Sequence, residues 1–177
     1  MLTTLKIAPF TKRINSAAMV KSNKMQVFLS ALLFLLLLPM SLWASNSAIK
    51  TTAETVYVPA YSHIYHGNKE TPLLLSVTLS IRNVDPDNSI TVFVVDYYET
   101  QGTLLKNYIT EPVILGPLGS ERFVVPQKDS SGGSGANFIV EWKSEKPTNP
   151  PIIETVMIGT QSQLGISFTS RGKAIIK

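Results

Sequence analysis

The chain has 177 residues, with 16 Lys and Arg against 12 Asp and Glu, a formal charge of +4, and no cysteine. The missing cysteine excludes a disulfide framework, a thiolate nucleophile, a lipidated cysteine and any thiolate metal site, so stability has to come from packing. Five of the bases (Lys6, Lys12, Arg13, Lys21, Lys24) and none of the acids precede residue 49, which leaves eleven bases against twelve acids, a net charge of −1. The basic balance therefore belongs to the leading segment and gives no support for nucleic-acid binding by the folded part.

Residues 27–43 form a leucine-rich run with no charge, preceded by Lys21 and Lys24 and closed by Ala44. Basic end, apolar centre and small residue come in the order that export machinery reads, so residues 1–44 are expected to be a signal peptide with a basic lead. Pro39 breaks the helix shortly before the cut, whereas Leu42, three residues before it, is larger than usual. The alternative is an uncleaved signal anchor, because about 17 apolar residues is the lower limit for a spanning helix. The excess of bases on its N-terminal side would hold the N-terminus inside and the domain outside. Either way the domain is expected to be extracytoplasmic and periplasmic, touching a membrane only through this segment if it is not removed. The lead before Lys21 is long for a signal, and Met19 or Met25 would give a more ordinary one.

A polar lead, residues 45–53, then gives way to period-two alternation, the signature of strands. Strands are predicted over 55–61, 75–82, 90–98, 104–109, 112–115, 121–126, 137–143, 152–158 and 164–170, and residues 173–177 are expected to be a tail. In 75–82, Leu75, Val77, Leu79 and Ile81 share one face and Ser76, Thr78, Ser80 and Arg82 the other, as in a strand with one buried side. Residues 90–98 are apolar on both faces up to Asp96 and rich in β-branched and aromatic types, which predicts a more central strand. The turn-forming cluster Asp85, Pro86, Asp87 and Asn88 lies between them, and the pair is expected to be a hairpin.

About 129 residues come after the signal, enough for one domain with one core. Short, regularly punctuated strands with no helical period predict an all-β fold, an immunoglobulin-like antiparallel β-sandwich over residues 54–172, preceded by the hydrophobic signal helix. The predicted core is Val77, Leu79, Ile81, Val92, Val94, Phe123, Val125, Phe138, Val140, Trp142, Val156, Ile158, Ile166 and Phe168, with Trp142 as its central aromatic.

Two segments are candidates for binding. The stretch Asp129, Ser130, Ser131, Gly132, Gly133, Ser134, Gly135, Ala136, Asn137 is glycine-rich, and glycines let backbone N–H groups converge on an anion or let another chain approach. It lacks the Gly-Lys-Ser/Thr ending of a nucleotide loop, and a strand comes next where such a loop needs a helix. A flexible hairpin loop is the simpler reading. The second segment holds Tyr61, His63, Tyr65 and His66. Its two histidines could start a metal site if a carboxylate joined them, and Tyr57, Tyr61 and Tyr65 would line one face if the strand continues. A serine nucleophile has only these two histidines as possible bases, with no orienting acid nearby in sequence. Asp85, Asp87 and Ser89 with Asp96 imitate a calcium loop, but the sixth place is not glycine. The candidate binding set is Tyr61, His63, Tyr65, His66, Asp129, Gly132, Gly133, Gly135 and Asn137, with no catalytic residue, metal ligand or cofactor assigned.

Five stretches carry a family resemblance: YVPAYSHI at 57–64, LSIRN at 79–83, YYETQG at 97–102, GGSGANFIVEW at 132–142 and ETVMIG at 154–159. They resemble a bacterial family known as domain of unknown function 3124, over roughly residues 54–172. The resemblance implies a small exported or membrane-attached protein without an assigned activity, and brings no catalytic residues with it. The expected function is non-enzymatic: a binding or envelope-assembly module contacting a protein, peptide or glycan. The alternative is a metal-dependent hydrolase or metal carrier built on His63 and His66.

Overall fold

The computed structural model describes residues 49–160 and 165–176. These fall in one compact unit, Ser47–Lys177, and the other unit, Met1–Asn46, lies outside them together with the expected signal segment. Every regular element among the described residues is a strand: β1 (Thr51–Pro59), β2 (His63–His66), β3 (Thr71–Leu74), β4 (Ser76–Arg82), β5 (Ile90–Tyr98), β6 (Leu104–Asn107), β7 (Val113–Leu115), β8 (Ser120–Val125), β9 (Asn137–Thr148), β10 (Ile152–Gly159), β11 (Ile166–Arg171) and β12 (Lys173–Ile175). All pairings are antiparallel. A six-stranded sheet runs β12-β1-β9-β5-β6 with β7 also on β5, a four-stranded sheet runs β11-β10-β4-β8, and β2 and β3 form a separate hairpin. The expected tail thus supplies β12, which pairs with β1.

The inner faces of the two larger sheets meet in one apolar core. Val56, Val58, Val92, Val95, Tyr97, Phe138, Val140 and Trp142 of the first sheet join Val77, Leu79, Ile81, Val125, Ile153 and Met157 of the second. Alternation along β4 and β9 places these side chains as the sequence predicts, and Trp142 is fully buried. Two strands depart from the predicted phase. On β5 the buried residue is Val95, not Val94, and on β10 Ile153, Thr155 and Met157 face inward while Val156 and Ile158 do not.

The predicted hairpin of β4 and β5 does not form. β4 pairs with β10 and β8, whereas β5 pairs with β9, β6 and β7, so residues 83–89 carry the chain from one sheet to the other. The turn residues are used for a buried corner. Asn83 is 2 % exposed and Asp85 is 1 % exposed. Asn83 Nδ2 donates to the carbonyls of Asn88 (2.8 Å), Gly116 (2.9 Å) and Leu115 (3.2 Å). Its Oδ1 accepts from the Asp85 N–H at 3.0 Å. Asp85 Oδ1 accepts from the N–H groups of Asp87 and Asn88 and from Asn88 Nδ2, and its Oδ2 accepts from the N–H and Nδ2 of Asn149. Three loops, after β4, after β7 and after β9, therefore converge on two side chains.

These bonds, led by the Asn149 N–H, hold the Asp85 carboxyl far below the usual carboxylate range. A depressed folded-state pKa means that the unfolded chain binds more protons in the acid window, so stability rises with pH there. The contribution is complete above the ordinary Asp value of about 3.9 and is lost as pH falls below it toward the folded value. In urea unfolding, Asp85→Asn is expected to lower the midpoint sharply at neutral pH and much less near pH ~2. An equal loss at both would sink this account of the corner.

Candidate functional site

The structure brings the two candidate segments together through their backbones. Beyond β1 the Ala60 N–H donates to the Ala136 carbonyl at 2.8 Å, and the Ser62 N–H and Oγ both donate to the Gly133 carbonyl at 3.0 Å. Asn137 pairs with Pro59 on one side and Tyr98 on the other. The side chains do not converge. Tyr61 packs edge-on against Phe168 with ring centroids 5.8 Å apart. Within β2, alternation puts His63 and Tyr65 on one face and Ile64 and His66 on the other. The His63 and Tyr65 rings meet edge-on at 5.2 Å, with Nε2 and Oη 3.3 Å apart. β1 ends at Pro59, so Tyr57, Tyr61 and Tyr65 do not share one strand face. Among the described residues, no group of three His, Asp or Glu is placed to hold a metal ion.

The glycine-rich stretch is a connection between sheets, from β8 to β9, not a hairpin loop. It is fastened at both ends of its run. Asp129 Oδ1 accepts from the Ser131 N–H and Oγ. Thr100 donates its N–H and its Oγ1 to the Gly132 carbonyl, both at 3.0 Å, and that Oγ1 accepts from the Gly135 N–H. The Gly133 N–H goes to the Ser130 carbonyl. Three N–H groups that an anion would need, those of Ser131, Gly133 and Gly135, are thus used within the fold.

Close packing explains the glycine at 132. A Cβ there would lie 1.9 Å from Tyr97 Oη and 2.7 Å from its Cζ. Gly133 adds a conformational demand, with φ +77° and Thr100 Oγ1 2.4 Å from where a Cβ would stand. Tyr97 beneath them is 1 % exposed. Burial, then the charge of Asp129, pushes its hydroxyl up to about 12.

A separate cleft of about 550 Å³ opens on the outer face of the six-stranded sheet, in the size range of ligand clefts, roughly 300–1,000 Å³. A β-bulge lies within it. Val92 pairs with Trp142 and Val94 with Glu141, so Phe93 is an extra residue in β5. Alternation from the buried Ile90 and Val92 already sets Phe93 outward, 42 % exposed, and the added residue reverses the facing of the strand beyond it, which moves the buried set to Val95 and Tyr97. Lys143 Nζ lies 5.4 Å from the Phe93 ring centroid, within reach of a cation–π contact. Lys143, Thr91 and Ile114 stand side by side in register on β9, β5 and β7. Asp87, Glu145 and Lys146 complete the rim, and Ser144 Oγ donates to the Ser89 carbonyl at 2.9 Å to tie its two walls.

The sequence pattern of a family described as "Protein of unknown function (DUF3124)" matches residues 53–175. The chain belongs to this family. The match takes in both candidate segments, the buried corner at Asn83 and Asp85, and the cleft over Phe93. No curated protein matches the chain. Among solved structures, "Crystal Structure of Thermotoga maritima 1070" is similar at a TM-score of 0.41 and 12 % identity, over 70 % of this chain and 95 % of that one.

The cleft escapes sequence reasoning because three separated segments build it. One local signal points toward it: Val92, Phe93, Val94 and Val95 are apolar in succession. A strand with one wet face cannot bury both parities, so such a run calls for a bulge or an exposed aromatic.

Proposed function

We propose that the chain is an exported, non-enzymatic binding or envelope-assembly module, an immunoglobulin-like β-sandwich that contacts a protein, peptide or glycan through the cleft over Phe93. The observation that carries this reading is Phe93 itself, a large aromatic that stands 42 % exposed in a concavity of about 550 Å³ beside the bulge in β5. Charged rims around an aromatic centre are the usual anatomy of a recognition patch. The fastening of the glycine-rich stretch gives that segment a packing role and leaves the cleft as the better surface.

Phe93→Ala is expected to leave thermal stability within about 0.5 kcal/mol if the bulge persists, because the side chain is largely outside the core. It should weaken capture of envelope components at least tenfold, which corresponds to about 1.4 kcal/mol. Photo-cross-linking from position 114, which lines the same cleft, on protein in intact cells, followed by mass spectrometry, checks it. Equal recovery by wild type and Phe93→Ala would remove the cleft from consideration. The same sample gives the intact mass. A mass starting at Ser45 supports export with cleavage, and an uncleaved mass supports an anchored module.

A further inference from the structure

At the opposite edge of the six-stranded sheet, where β1 and β12 lie, there is a second and smaller cleft of about 270 Å³. It is made by a strand that changes sheets. β11 lies at the edge of the four-stranded sheet, and at Gly172 the chain crosses to the other sheet as β12. The crossing is tight. The Gly172 N–H donates to the Ile153 carbonyl at 2.8 Å, and a Cβ would meet Val56 Cγ1 at 2.7 Å. Such an approach of strand to core leaves no room for a side chain, and it sets Arg171 at the mouth of the cleft.

The opposite charge comes from β1. Val56 and Val58 point into the core, and a period of two gives Glu54 the same facing. Its cross-strand partner is the fully buried Trp142. The Glu54 carboxyl is half-buried, between Val56, Pro150, Pro151 and Ile152. Burial pushes its pKa up, and the indole N–H of Trp142 only partly opposes this. Among the described residues, neither Glu54 nor Arg171 makes an ion pair, with the other or with any group. A carboxylate removed from water without a cation is unfavourable, and a guanidinium is a planar fork suited to a carboxylate. Among the described residues, one small cleft thus presents both charges without pairing them to each other, and Glu154, which stands opposite Arg171 on β10, forms no ion pair with it.

We propose that this cleft binds a small zwitterion, a free amino acid with an apolar side chain. Glu54 takes the ammonium, Arg171 takes the carboxylate, and the side chain lies against Val56 and the prolines. The site is independent of the cleft over Phe93.

The test is titration of the whole exported domain with alanine and with valine at millimolar concentration, followed by backbone NMR shifts and by thermal unfolding. Acetate and ethylamine, each carrying one of the two charges, serve as controls. Expected are saturable shifts at β1, β10 and β12, a rise in the unfolding midpoint, and at least tenfold weaker binding of each control. Glu54→Gln and Arg171→Ala should each weaken amino-acid binding at least tenfold. Both should fold, since removing a half-buried unpaired charge relieves the interior and Arg171 is exposed. In the wild type, affinity should fall as pH drops through the raised range of Glu54, because the protonated carboxyl no longer holds an ammonium, and Glu54→Gln should lose that dependence. No saturable binding of either amino acid overturns the proposal. So does binding matched by acetate alone, or unchanged in either variant.

Discussion

Replacing Asn83 by alanine should lower the free energy of unfolding by about 3 kcal/mol or more, among the largest losses expected from any polar position here. The side chain, 2 % exposed, satisfies three backbone carbonyls and one N–H at the corner. Alanine would leave those groups unpaired, and each buried unpaired group costs roughly 1–3 kcal/mol. Asn83→Asp should be worse, because a carboxylate would face the same three carbonyls with no donor to offer. Urea unfolding of both variants checks this. A loss below about 1 kcal/mol for Asn83→Ala would mean that water enters and replaces the amide.

The second large effect is expected at Gly132. A methyl group there collides with the Tyr97 hydroxyl and ring carbon and with Ala136, so Gly132→Ala should cost about 2–3 kcal/mol by overpacking. Tyr97→Phe alone should cost little, since the buried hydroxyl closes no hydrogen bond. The two together should lose at least about 1 kcal/mol less than the sum of the singles, because the phenylalanine removes the closest obstacle. A double-mutant cycle in urea measures that coupling. Strict additivity would show that the glycine answers to something other than Tyr97.

The existence of most strands can be read from alternation, because β4 and β9 bury one face and wet the other. The misses lie in features that alternation does not encode. The cluster from Asp85 to Asn88 has the chemistry of a reversal, and that chemistry serves a corner between sheets as well as a hairpin. On β10 both parities carry apolar side chains, and the inward one includes Thr155. Its hydroxyl donates to the Pro59 carbonyl at 2.6 Å, so a polar residue is satisfied inside while Val156 and Ile158 stay outside. The β2–β3 hairpin escapes notice because Pro72 sits in it, which a two-stranded ribbon tolerates at its free edge.

The candidate sites divide in the same way. The glycine-rich stretch stands out in sequence, yet its glycines answer to Tyr97 and Thr100, groups some thirty residues earlier in the chain. The cleft over Phe93 joins loops and strands whose proximity only the sheet order creates. Glu54 did leave a local mark, as an acid on the same parity as Val56 and Val58. An acid on the buried face of a strand is a departure from pattern of the kind that marks functional or strained positions.

The position of β1 between β9 and β12 sets when the domain can finish folding. Thr55 pairs with Glu141, 86 residues later, and with Ile175 at the very end of the described fold. The first of the described strands to emerge from a ribosome has no ladder until β9 has emerged behind it. Such distant pairings place the domain among the slow folders, in the millisecond-to-second class. Until β9 arrives, the Val56 and Val58 face of β1 is exposed and adhesive, which makes its protection during delivery a requirement written into the sheet order.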